Sequence, residues 1–187
     1  MKRFAFIIAG LAAVLSAMAQ DAGTGFNFEK YQAAMQEWAL PRFMKSADSV
    51  RFMDYALIDI DNDGKPEVWV RSDEGQDWQG VFALEGDSVM LLADADVTSE
   101  LSFYTNAVGF SGYISPGLID EGFSVLKDSH IIASCNKHLE IDIFSDMETL
   151  YEEYIVNGES TDEDGYNAFV QKLGDAITVT PVWHKIE

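Results

Sequence analysis

Asp54-Tyr55-Ala56-Leu57-Ile58-Asp59-Ile60-Asp61-Asn62-Asp63-Gly64-Lys65-Pro66-Glu67-Val68-Trp69-Val70 holds two apolar runs separated by an acidic turn. Residues 54–60 and 67–70 have the β-branched and aromatic content of strands, so the stretch reads as a β-hairpin. Gly64 permits the sharp bend that a side chain would obstruct. Pro66 fixes its own φ and pushes Lys65 towards extended geometry, which launches the second strand.

Working outward, Gly80 to Leu84 and Val89 to Leu92 flank Glu85-Gly86-Asp87, a further hairpin signal. Short strands are expected near 109–114, 123–126, 130–135, 139–143 and 151–156, the last turned by Asn157-Gly158. Their regular punctuation predicts an antiparallel meander. At the N-terminal side, Asn27 can cap a helix carrying Phe28, Tyr31, Met35 and Trp38, which Pro41 ends. At the C-terminal side, Ser160-x-x-Glu163 reads as a capping box. Tyr166, Phe169, Val170 and Leu173 form an apolar stripe, Gly174 a left-handed cap, and residues 177–180 a closing strand. The expected fold is α+β: an antiparallel β meander with an N-terminal helix and a capped C-terminal helix.

The acidic turn has the chemistry of a calcium loop. Calcium takes six to eight hard oxygens at about 2.3–2.6 Å. Asp59, Asp61 and Asp63 alternate, so their carboxylates can converge, and Glu67 adds a fourth. The Lys65 backbone carbonyl can supply another oxygen. Magnesium prefers a small octahedron with several waters and suits this set less well. The position expected to carry the bidentate Glu of an EF-hand is Val70, and the flanks are strands. Asp59 to Val70 instead resembles the calcium loop of FG-GAP and VCBS-type repeats. That resemblance implies calcium ligation by Asp59, Asp61, Asp63 and Glu67. It does not imply a propeller, because one copy cannot build several blades. The hairpin, with the later Tyr154-Ile155-Val156-Asn157-Gly158-Glu159 and its helix, also resembles a group of secreted bacterial proteins, which implies secretion but no reaction.

Met1-Lys2-Arg3, the uncharged run Phe4 to Leu15 and Ala17-Met18-Ala19 have the layout of a signal peptide over 1–19. The apolar run is shorter than the ~20 residues needed to cross a bilayer. Residues 20–187 are then expected as one exported calcium-binding domain, periplasmic or extracellular. A net charge of −20 excludes nucleic acid and anionic membrane as natural partners. At 12% aromatic residues the chain can build a core. Cys135 is the one cysteine, so no internal disulfide is available.

Candidate catalytic groups do not assemble in the sequence. Strand alternation puts His130 and His138 on one face and Cys135 on the other, which separates a thiol from its base. Gly109-Phe110-Ser111-Gly112-Tyr113 lacks the last glycine of a nucleophile elbow. Trp78 is the tryptophan expected at the surface, and Asp94, Asp96, Asp142, Asp146 and Glu148 read as solvated loops. The expectation is a secreted, calcium-stabilised, non-catalytic module that binds a protein or glycan. The alternative is a small secreted hydrolase using acidic residues.

Overall fold

The structure, a computed structural model, describes residues 31, 33–35, 37–38, 52–72, 78–96, 98–144 and 147–185. The expected signal peptide, Asn27, Phe28, Pro41 and Asp146 lie outside the described residues. The strands are β1 (Phe52–Ile58), β2 (Glu67–Ser72), β3 (Trp78–Glu85), β4 (Ser88–Asp96), β5 (Ser99–Tyr104), β6 (Ala107–Ser115), β7 (Leu118–Lys127), β8 (His130–Ile141), β9 (Thr149–Val156), β10 (Glu159–Thr161) and β11 (His184–Lys185). They form two antiparallel sheets, ordered β11-β1-β2-β3-β4 and β10-β9-β8-β7-β6-β5.

This corrects the α+β expectation: the fold is essentially all-β, with two short helical pieces among the described residues. The meander is present, but it breaks between β4 and β5 into two sheets that bury each other. Ile58, Ile60, Val81, Ala83, Leu92 and Ala93 of the first sheet meet Phe103, Val108 and Leu126 of the second. Residues 80–83 are all buried, the mark of a strand covered on both faces. Its outer face lies under Tyr31, Met35 and Trp38, whose helical spacing is as expected and which pack on Val68, Val70 and Phe82. The second sheet's outer face, with Phe123, Cys135 and Tyr154, is covered by Tyr166 of the C-terminal helix (Glu163–Val170).

The ends of that helix differ from the sequence reading. Asp162 is the N-cap, its side chain accepting from the Gly165 N–H at 2.8 Å, while Ser160 lies in β10. Asp162 directly precedes the helix, whereas Ser160 lies two residues further back and pairs with Ile155 of β9. The C-cap is Gln171 in right-handed geometry. Gly174 is instead required by close approach: a Cβ there would lie 2.0 Å from Thr105 Oγ1.

Residues 177–180 form no strand. The segment makes a single bridge, Ala176 to Tyr104, and Ile177 N–H donates to the Phe103 carbonyl at 2.9 Å. It then runs from the β5 edge of one sheet to the other sheet, where β11 pairs with β1. Trp183 arrives 5.0 Å from Trp69, with the Arg71 guanidinium 4.1 Å over its ring. Arg71 is held in turn by the Asp54 carboxylate. The chain end therefore straps one side of the sandwich.

Candidate metal centre

The β1–β2 connection is folded by its own carboxylates. Asp59 Oδ1 accepts from the Asp63 N–H at 3.1 Å and Oδ2 from the Gly64 N–H at 3.1 Å. Asp61 Oδ1 accepts from the Asp63 N–H at 3.2 Å, and Asp63 Oδ1 from the Lys65 N–H at 2.6 Å. Short acidic side chains bonding backbone a few residues on is the chemistry of Asx turns. Left-handed Asn62 (φ 58°) and Gly64 (φ 85°) complete the bend.

One ligand atom from each of Asp59, Asp61 and Asp63 lies within 4.8 Å of the others, so this triad can hold a metal ion. All three are half-buried. Burial, followed by the charges of Asp63 and Asp61, raises the Asp59 carboxyl above its ordinary range. A cation in their midst would reverse that penalty.

Glu67 is not part of the triad. It is 1% exposed, and its Oε2 accepts from the Ile60 N–H at 2.9 Å. Its Oε1 is buried with no hydrogen-bond partner among the described residues. Burial first, then the charges of Asp61 and Asp59, push its carboxyl up to about 8. The Lys65 Nζ, on an exposed side chain, stands 3.6 Å from Asp63 Oδ2.

Ser129 carries no site signal in the sequence. At the β7–β8 turn Asp128 (φ 54°) and Ser129 (φ 62°) are both left-handed, the primed turn that matches hairpin twist. The Ser129 N–H donates to Asp61 Oδ2 at 2.9 Å, and its hydroxyl to Asp63 Oδ2 at 2.8 Å. The turn of the second sheet thus closes on the acidic loop of the first. Turn propensity at Asp128-Ser129 is readable in sequence, but its landing place is not.

The other candidates do not converge. Cys135 is buried, and burial pushes its thiol up to about 11, away from nucleophilic use. A bulge opposite Val125/Leu126 resets the alternation of β8. His130 pairs with Lys127 and His138 with Asp120, so the two imidazoles face opposite ways, contrary to simple parity. His138 Nδ1 bonds Asp120, and His130 Nε2 sits 3.4 Å from Glu85. Trp78 is partly buried against the outer cluster, not free at the surface. Asp94 and Asp96 belong to β4 and not to a solvated loop. Asp94 accepts from Trp38 Nε1 at 3.0 Å. Burial opposes ionisation of Asp96, yet bonds from Thr98 and Ser99 hold its carboxyl below the usual range and fix the crossing between sheets.

Fold and loop together define a two-sheet antiparallel β protein with an acidic triad able to hold a metal ion. No protein-family model, curated protein or solved structure matches the chain. The FG-GAP and VCBS resemblance accordingly rests on the loop residues alone. No helix among the described residues is long and apolar enough to cross a membrane.

Proposed function

We propose that the chain is an exported binding module whose fold is completed by one calcium ion at Asp59, Asp61 and Asp63. Glu67 and the Lys65 carbonyl complete the ligand set, Glu67 directly or through a water. The observation that carries this reading is Glu67 Oε1, buried at the end of the acidic loop with no hydrogen-bond partner among the described residues. A buried carboxylate oxygen left unpaired costs the full desolvation of the group, and a nearby cation offsets it. An all-oxygen, anionic donor set suits a hard cation, and the spacing suits the larger, more flexible shell of calcium.

An interaction role is supported by the β8–β9 connection. Ile143, Phe144 and Met147 are exposed there, Phe144 at 93%, and Leu150 and Tyr151 are exposed at the start of β9. Exposed apolar side chains of this size, gathered in one stretch of chain, suit a surface that meets a partner. The test of the calcium reading is thermal unfolding with calcium and with chelator, on the wild type and on Asp59→Asn. Calcium should raise the wild-type Tm and leave the variant almost unmoved. Equal melting of the wild type in both conditions would overturn the reading.

A further inference from the structure

We propose that Ser129 is the positioning residue of the ion site, so that the second sheet completes a site whose ligands belong to the first. This rests on the calcium reading above. Ser129 is 3% exposed, and both its donors are spent on the loop, one on Asp61 and one on Asp63. Among the described residues, no other hydrogen bond reaches those two carboxylates from outside their own loop. Glu67 supplies the independent sign of a ligand: its Oε2 is tied to the Ile60 N–H at the base of the same loop, and its buried Oε1 has no hydrogen-bond partner among the described residues.

The physical role follows from repulsion. Three carboxylates within contact distance swing apart towards water unless something holds them. Ser129 fixes one oxygen of Asp61 and one of Asp63. Each carboxylate plane is thereby set before the ion arrives, and lone pairs remain for coordination. Holding ligands in place lowers the ordering cost of binding, as supporting hydrogen bonds do in other metal sites. By linkage, an ion that gains from the docked turn must also stabilise that docking.

The test is calcium titration of the full chain by isothermal calorimetry on the wild type, Ser129→Gly and Asp128→Gly. Glycine suits the left-handed backbone at both positions, so the turn is kept and only the side chain is lost. Ser129→Gly should bind calcium about tenfold more weakly or worse. Asp128→Gly, which alters the same turn without touching the loop, should bind as the wild type does. In the wild type, calcium should also slow hydrogen exchange of the Ser129 amide, a readout that stands even if Ser129→Gly fails to fold. Equal affinity of Ser129→Gly and wild type, equal losses in both variants, or a Ser129 amide indifferent to bound calcium would overturn the positioning role alone. A wild type that binds no calcium would overturn the calcium reading itself.

Discussion

Glu67 and Ile60 close the acidic loop at its base: Glu67 Oε2 accepts the Ile60 N–H at 2.9 Å. Both residues are buried, Ile60 completely. A backbone donor satisfies one oxygen while the other has no hydrogen-bond partner among the described residues, so ionising Glu67 would leave a poorly compensated charge at the junction of β1 and β2. Tyr31, its phenol pushed up to about 12 by burial and by Glu67, senses the same charge.

That charge predicts a pH dependence. The Glu67 carboxyl moves from an ordinary 4.5 to about 8 in the folded chain. A group raised on folding favours the protonated folded state. Its contribution is full below 4.5 and is lost as pH rises through about 8. In chelator, the wild-type Tm should therefore fall across that window more steeply than that of Glu67→Gln. Saturating calcium should remove the difference. Parallel metal-free profiles for the two proteins would show that Glu67 is not strained by its burial.

The C-terminal helix offers a stability test that separates cap from strand. Asp162→Ala should cost about 1 kcal/mol through the lost N-cap. Ser160→Ala, in the three-residue β10, should cost less. Tyr166→Ala should cost more than either, because Tyr166 is buried against Tyr154 and its hydroxyl donates to Glu121. Urea unfolding of the three variants ranks them. A Ser160→Ala loss above that of Asp162→Ala would restore the capping box.

Gly109 marks where β6 and β7 pack too closely for a side chain. A Cβ there would lie 2.4 Å from the Phe123 ring and 2.7 Å from the Gly122 carbonyl. Gly109→Ala should destabilise by about 1–3 kcal/mol, the usual cost of overpacking. Denaturant melts check it, and a neutral result would mean that Phe123 swings aside freely.

Export makes its own prediction. If 1–19 is cleaved, intact mass spectrometry of the secreted protein should find Gln20, or its cyclised form, as the first residue. Retention of Met1 to Ala19 on the exported chain would contradict the assignment.

The hairpin around Asp59 to Glu67 was legible because its signals are local: alternating acids, a left-handed glycine and a proline at fixed spacing. The Asn157-Gly158 turn was legible for the same reason, its φ values of 52° and 80° being those such a pair adopts. The division into two sheets was not, since strand signals do not say which strand pairs across the Asp96 crossing. How small a part the helices play was not legible for a related reason. Their apolar stripes are genuine, but they cover patches of sheet and do not form a layer. Ser129 lay out of reach because its bonds to Asp61 and Asp63 span 68 and 66 positions of chain.

The most direct measurement of the central claim is calorimetric titration of calcium into metal-free wild-type protein, paired with Asp61→Ala. Extracellular modules bind calcium at about 10⁻⁴–10⁻³ M, and a hundredfold excess over Kd would stabilise the fold by about 2.7 kcal/mol. The expected result is one saturable site per chain in the wild type, lost in Asp61→Ala and kept in Asp162→Ala. A wild type that takes up no calcium at millimolar ion would contradict the account.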